Sequence, residues 1–140
     1  MEILELTSLS ASQLADLHAL MTELDPAIAV SDEMLSAAVA HPSTHFFAAV
    51  EDGHILGCAS LCITRHPLGL KGGIEDVVVS SACRGRGLGR QLMEHIIAFA
   101  RTLAPIELCL TSRPSRVAAN QLYQALGFIH YQTNVYKLPL

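Results

Sequence analysis

Apolar and polar residues follow two repeats along this chain, one with a period of two and one with spacings of three and four. The first repeat predicts half-buried strands, and the second predicts amphipathic helices. The predicted strands, about seven in all, are residues 2–7, 46–50, 55–64, 74–80, 106–111, 128–132 and 134–138. The four predicted helices are residues 10–25, 31–40, 88–104 and 114–126. This order of elements predicts a single mixed α/β domain over residues 1–140.

The strand predicted at 74–80 and the helix that follows it lie at the centre of this pattern. Val77, Val78 and Val79 place β-branched side chains on both faces of the strand, as expected where helices cover both sides. The helix carries one apolar stripe, which is formed by Leu88, Leu92, Ile96, Phe99 and Leu103. We expect this stripe to pack on the sheet.

Glycine and proline residues mark several connections. Asp52-Gly53 predicts a hairpin turn between the second and third strands, and Gly127 predicts a left-handed end to the fourth helix. Pro67 and three glycines predict a loop over residues 65–73. Because binding residues are often carried by surface loops, this one is expected to form the substrate-side lip.

The turn between the central strand and the third helix is rich in glycine and arginine. Its glycines tolerate positive φ and let the backbone approach a bulky anion, and a helix N-terminus attracts negative charge. Guanidinium groups suit phosphate oxygens. The residues concerned are Arg84, Gly85, Arg86, Gly87, Leu88, Gly89 and Arg90. The sequence therefore predicts a phosphate or pyrophosphate site at this turn.

Two common phosphate-binding loops do not match this turn. A P-loop is excluded because no Gly-Lys-Ser or Gly-Lys-Thr follows the glycines. A dinucleotide-binding fingerprint is disfavoured because the glycines lie two positions apart and no second βαβ unit follows.

Composition and charge narrow the classes of function. Hydrophobic residues make up 51% of the chain and charged residues 16%, which is typical of a globular protein with a substantial core. The net charge of −4 argues against binding to nucleic acid or to an anionic membrane surface. No apolar run approaches the 18 residues or so of a membrane span. The first residues enter a strand pattern without signal-peptide features, so a cytoplasmic location is expected.

The cysteines and histidines do not predict a metal site. The four cysteines contain no CxxC pair and are interpreted as small hydrophobic residues: Cys58, Cys62, Cys83 and Cys109. His41 and His45 have helical spacing, but Pro42 lies between them. We expect neither a disulfide nor a bound metal.

Two motifs together resemble the signatures of the GNAT superfamily of N-acetyltransferases. Arg84-x-x-Gly87-x-Gly89, following an apolar strand, resembles the family's acetyl-CoA pyrophosphate loop. The segment 119–128, with Leu122-Tyr123 and Gly127-Phe128, resembles the second signature, A-x-x-L-Y-x-x-x-G-F. The order of elements is similar as well. The resemblance implies a mixed, largely antiparallel sheet that is flanked by four helices and splayed at its central strands.

The resemblance also implies acetyl-CoA as co-substrate, with no metal. The backbone of Val77, Val78 and Val79 would pair with the pantetheine arm, and the arginine- and glycine-rich turn from residue 84 to residue 90 would hold the pyrophosphate. Asn120 and Tyr123 are three residues apart and share one helical face. By resemblance, Asn120 lies against the cofactor arm.

Three residues are implied or proposed in catalysis. The resemblance places the Tyr123 hydroxyl near the acetyl-CoA sulfur, where it would donate a proton or hydrogen bond to the departing thiolate. The acceptor amine needs a base, and Glu75 and Asp76 are the candidates. They precede three valines, as in the glucosamine-6-phosphate acetyltransferase branch of the family. Glu75 is assigned as base or water-relay anchor, and Asp76 as a group that orients or binds the amine.

The carboxylate pair has a structural alternative. Successive strand residues point to opposite faces, so at most one of the two lines the cleft unless a bulge intervenes. Both could instead lie at an exposed strand end, or pair with Arg65, Lys71 or Arg116.

The predicted reaction is acetyl transfer from acetyl-CoA to a primary amine of a small molecule, by direct attack in a ternary complex. Two alternatives stay open: acetylation of a protein or peptide amine, and a non-catalytic module that binds acyl-CoA. The edge of the terminal strand at 134–138 must be covered, and a homodimer is one way to cover it.

Overall fold

The computed structural model describes all residues, 1–140, and contains two compact units, Met1–Leu110 and Thr111–Leu140. The second unit holds one helix, α4 (Val117–Ala125). The first unit holds β1 (Glu2–Leu6), α1 (Ala11–Leu24), α2 (Asp32–Ala40), β2 (Thr44–Glu51), β3 (His54–His66), β4 (Gly69–Val79), α3 (Leu88–Arg101) and β5 (Ile106–Cys109). The four predicted helices are confirmed. A single domain over residues 1–140 stays a prediction.

The five strands form one sheet in the order β1-β2-β3-β4-β5. Consecutive strands pair antiparallel except β4 and β5, which pair in parallel. The predicted mixed, largely antiparallel sheet is thus confirmed, but the predicted number of seven strands is wrong. Residues 128–132 and 134–138 form no strand. Alternation is not sufficient for a strand, because each strand needs a neighbour that exchanges backbone hydrogen bonds with it.

The sheet therefore ends at β1 and β5. The expectation of a homodimer was based on an edge at residues 134–138, and that edge does not form.

The loop predicted over residues 65–73 is also wrong. β3 and β4 continue through it as a long hairpin in which Arg65 pairs with Leu70 and His66 with Gly69. The glycine at position 72 serves packing rather than a turn. A Cβ there would lie 2.7 Å from Leu108 Cδ2 and 2.9 Å from Leu61 Cδ1. Glycine in a strand interior often marks such a close approach.

Helices cover the two faces of the sheet. On one face, Leu17 and Leu20 of α1 and Leu35 and Val39 of α2 pack in one cluster with strand residues, namely Phe46, Ala48, Ile55, Cys58 and Val78. On the other face, Phe47 contacts the rings of His95 and Phe99 of α3. The apolar stripe predicted for α3 is confirmed by the burial of Leu88, Leu92 and Ile96.

Local capping sets the ends of several helices. Ser10 caps α1: its Oγ accepts the Gln13 N–H at 3.2 Å, and the Gln13 side chain accepts the Ser10 N–H at 3.0 Å. Ser31 caps α2 through the Met34 N–H. Gly127 follows α4 with φ of +98°, which confirms the predicted left-handed end.

Candidate active site

The turn between β4 and α3 presents a row of backbone N–H groups. A short 3-10 turn, Ser81–Cys83, follows β4, and Gly87 then caps α3 in the left-handed conformation, with φ of +74° and ψ of 15°. The first hydrogen bond of the helix runs from the Gln91 N–H to the Gly87 carbonyl at 3.1 Å. The N–H groups of the first helical turn, which precede Gln91, have no carbonyl partner within the helix. This arrangement fits an anionic group such as a diphosphate.

The three glycines of the turn serve two purposes. Gly85 and Gly87 have φ of +81° and +74°, which side-chain-bearing residues adopt at a cost. A Cβ on either would meet no protein atom nearer than 3.9 Å, so conformation is the reason for glycine there. Gly89 is the second residue of α3, and its φ is not positive, so the backbone conformation does not require glycine there. A glycine at that position favours close approach of a ligand.

Replacement of Gly89 is therefore expected to weaken CoA binding without lowering the stability of the protein. Replacing Gly89 by Val removes a helix-breaking residue and is expected to leave the thermal unfolding temperature unchanged or raised. The new side chain would push a diphosphate off the adjacent N–H groups. Losing one hydrogen bond to a charged group costs about 1.5 kcal/mol, or roughly tenfold in Kd for CoA.

Isothermal titration calorimetry with CoA measures this effect. Ala11→Val is the matched control, because it introduces the same side chain at an exposed position in the first turn of another helix, α1. Unchanged CoA affinity in a folded Gly89→Val variant would remove the turn from the site.

The three arginines of the turn have different partners. Two guanidinium nitrogens of Arg86 donate to the Glu51 carboxylate, at 2.7 and 3.3 Å. This contact lowers the pKa of Glu51 and raises the pKa of Arg86. Arg90 pairs with Glu94 one helical turn away, at 3.2 Å. Arg84 forms no ion pair, so its guanidinium is the one left for an external anion.

Sequence reasoning missed two residues around this turn. Glu23, near the end of α1, accepts the Ser81 N–H at 2.9 Å and the Ser81 hydroxyl at 3.2 Å. Glu51 ends β2. No local pattern marks the two glutamates, because their partners lie 58 and 35 residues away in the chain.

One edge of β4 has no β5 partner over the second half of the strand. β5 pairs only with residues 70–73 of β4, and the ladder ends where β5 ends. Residues 74–79 therefore have backbone groups on that side without a β5 partner. The resemblance implied a separation of the central strands, which stays a prediction, and Val77, Val78 and Val79 lie beyond the end of the β4–β5 ladder.

A bulge interrupts β4 at the carboxylate pair. Glu75 lies opposite Ser60 and Val78 opposite Cys58, so Asp76 and Val77 together face Ala59. Asp76 has φ of +53°, which aspartate tolerates better than most residues. Both carboxylates are exposed, and neither forms an ion pair. The bulge removes the constraint that only one of them can face the cleft.

The two α4 residues belong to the second unit. Tyr123 is 8% exposed, and burial raises the pKa of its hydroxyl, while the charge of Arg116 lowers it in part. The Asn120 side-chain nitrogen donates to the carbonyls of Arg113 and Arg116, both at 2.9 Å. These two acceptors assign the amide orientation and leave Oδ1 available for another donor.

The predicted absences concern metals, disulfides and membrane spans. The four cysteines are free thiols, and burial strongly raises the pKa of Cys58. No group of three or more potential ligand side chains is placed to hold a metal ion. None of the helices combines the length and apolarity that crossing a membrane requires.

The sequence of this chain is similar to those of known acetyltransferases. A sequence model of the Acetyltransferase (GNAT) family matches residues 11–128. A probable glucosamine 6-phosphate N-acetyltransferase of Drosophila melanogaster is 30% identical over 91 residues, which cover 61% of this chain and 40% of that protein. A [ribosomal protein bS18]-alanine N-acetyltransferase of Salmonella typhimurium is 42% identical over 53 residues, 38% of this chain and 36% of that protein. The chain thus matches less than half the length of each of these relatives.

The fold has a close counterpart among solved structures. A putative acetyltransferase from Agrobacterium tumefaciens superposes with a TM-score of 0.84 at 24% identity, covering 99% of this chain and 100% of that one. The family match spans most of the chain and includes both the β4–α3 turn and α4. The chain belongs to the Acetyltransferase (GNAT) family.

Proposed function

We propose that this chain transfers the acetyl group of acetyl-CoA to a primary amine of a small-molecule acceptor by direct attack in a ternary complex. The observation that carries the proposal is the turn between β4 and α3. Its backbone N–H groups and the unpaired Arg84 suit a diphosphate, and the edge of β4 without a β5 partner leads directly into it. Family membership supports acetyl-CoA as co-substrate.

The chemistry requires little beyond positioning and two proton transfers. Acetyl-CoA supplies an activated acetyl group. The amine nitrogen bonds to the acetyl carbon, the carbon–sulfur bond breaks, and the electron pair leaves with sulfur. A thiol with a pKa of about 8.5 is a good leaving group, so a donor near sulfur is expected to contribute only modestly to the rate. The amine must lose one proton to a base before or during the attack.

Glu75 and Asp76 are the proposed acceptor-side groups. Glu75 would take the amine proton, directly or through a water, and Asp76 would orient the incoming ammonium. The bulge at Asp76 supports this assignment because it allows two consecutive carboxylates to serve one site. Both lie on β4 immediately before the three valines whose backbone is proposed to pair with the pantetheine arm.

Tyr123 and Asn120 are the proposed α4 contributions. Burial keeps the Tyr123 phenol protonated at neutral pH, as a donor to the departing thiolate must be. Asn120 has Oδ1 free to accept a hydrogen bond from an amide of the pantetheine arm.

A small polar acceptor is favoured by the surroundings of Glu75. Lys71 and Gly73 share its side of β4 because strand residues alternate, and Ser60 lies opposite it on β3. This strip offers hydrogen bonds and charge. A substrate that carries hydroxyl or acidic groups beside its amine matches the strip.

An acceptor screen with acetyl-CoA, read by release of free thiol, tests the proposal. The panel contains amino sugars and their phosphates, amino acids, polyamines, and peptides with a free N-terminal alanine. We expect turnover with at least one small amine and none with the peptides. Turnover with peptides alone would support a protein acceptor, and CoA binding without any turnover would indicate a non-catalytic module.

A further inference from the structure

The anion-binding turn is held at both ends by carboxylates from elsewhere in the first unit. Glu23 of α1 accepts two hydrogen bonds from Ser81, at the start of the turn. Glu51 of β2 accepts two from Arg86, immediately before the Gly87 cap. These contacts lie outside the motif that marks the turn in the sequence.

The backbone of Glu51 is fixed by the sheet, so its carboxylate can hold Arg86 in place. It is the last residue of β2 and pairs with His54 across the β2–β3 hairpin, so its backbone is held in the sheet. The two parallel N–H···O bonds set the orientation of the guanidinium as well as its distance. The chain N-terminal ammonium also lies 3.9 Å from the same carboxylate.

Arg86 is consequently engaged before any ligand arrives. Both terminal nitrogens, which form one of the edges that can bind a phosphate bidentately, are already bonded to Glu51. Arg84, two residues earlier, has no such partner. Arg86 is therefore ion-paired within the protein, whereas Arg84 is not.

We propose that Arg86 is a positioning residue: through its ion pair with Glu51 it sets the direction of the N–H groups at the start of α3, and direct arginine contact with the diphosphate falls to Arg84. The inference rests on the proposed binding of CoA at this turn. It assigns Glu51 to the cofactor site, although Glu51 carries the same charge sign as the ligand.

The direction in which Glu51→Gln changes CoA affinity distinguishes a positioning role for Arg86 from direct contact of Arg86 with the diphosphate. If Arg86 moved to the phosphate on binding, Glu51 would compete with the ligand, and Glu51→Gln would tighten CoA binding. Removing a negative charge near a bound anion would act in the same direction. If Arg86 positions the turn, Glu51→Gln loosens the N–H groups and weakens binding.

The experiment is a double-mutant cycle of Glu51→Gln, Arg86→Gln and the combined variant, with CoA Kd measured by calorimetry. We expect each single variant to weaken binding about two- to fivefold, the modest size of an effect that depends on an exposed ion pair. The double variant is expected to be no weaker than the worse single variant, because both remove the same contact. Glu94→Gln is the matched control, since it removes the carboxylate partner of Arg90 and the same charge, and it is expected not to weaken binding.

Amide hydrogen exchange without ligand gives a second readout. The amide of Gln91, which donates the first hydrogen bond of α3 to the Gly87 carbonyl, is expected to exchange faster in Glu51→Gln than in wild type and to be unaffected in Glu94→Gln, with unchanged unfolding temperatures. Unchanged or tighter CoA binding in Glu51→Gln, together with weaker binding in Arg86→Gln, would overturn the inference in favour of direct contact. Wild-type protein without affinity for CoA would instead refute the proposed function, and the exchange measurement would then decide the positioning role alone.

Discussion

Replacement of Tyr123 by Phe is expected to lower kcat about a hundredfold, the low end of the range for acid–base groups, while leaving CoA affinity within about twofold. The substitution removes one hydroxyl and keeps the ring that packs edge-on to Phe128. The loss is confined to the step in which the thiolate departs, because the hydroxyl is needed only as negative charge develops on sulfur.

The pH dependence of the rate gives a second way to identify Tyr123 as the proton donor. Burial raises the pKa of Tyr123, so the donor is intact through neutral pH, and the wild-type rate falls only as pH rises through that raised pKa. The Phe variant should lack this alkaline fall. Tyr131→Phe is the matched control, since Tyr131 is 74% exposed and lies outside the proposed site. Equal kcat values for wild type and Tyr123→Phe across the pH range would exclude Tyr123 as the donor.

Replacement of Glu75 by Gln is expected to lower kcat/KM about a hundredfold at neutral pH, because the amine loses its base. Asp76→Asn should cost less, about tenfold, if Asp76 orients the ammonium without taking its proton. Asn tolerates the left-handed backbone of Asp76, so this change removes charge and keeps the bulge.

The pH–rate profile distinguishes the two carboxylates. Glu75→Gln should change the shape of the wild-type pH–rate profile, whereas Asp76→Asn should keep that shape at a lower rate. Glu107→Gln on β5 serves as a control for loss of an exposed strand carboxylate. A profile that keeps its shape in both the Glu75 and the Asp76 variants would remove the pair from the proton transfer.

Much of the fold could be predicted from local patterns. The four helices follow from apolar spacing and caps, and β1 to β5 contain segments with strand patterns. The β4–α3 turn was identified because glycines, arginines and a helix start are adjacent in the chain, and the structure shows Gly85 and Gly87 in the left-handed conformations that the motif predicts. Features of this kind depend on residues only a few positions apart.

Other features depend on contacts between distant segments, which no local pattern records. Residues 65–73 join the β3–β4 hairpin because neighbouring strands pair with them, and residues 128–138 form no strand because none does. The bulge at Asp76 arises from the register between β3 and β4, and the proposed joint role of Glu75 and Asp76 depends on it. Glu23 and Glu51 reach the β4–α3 turn only once α1 and β2 pack beside it. Short-range spacing specifies conformation, whereas partners in a hydrogen bond or ion pair are chosen by the packing that brings them within 3 Å or so of each other.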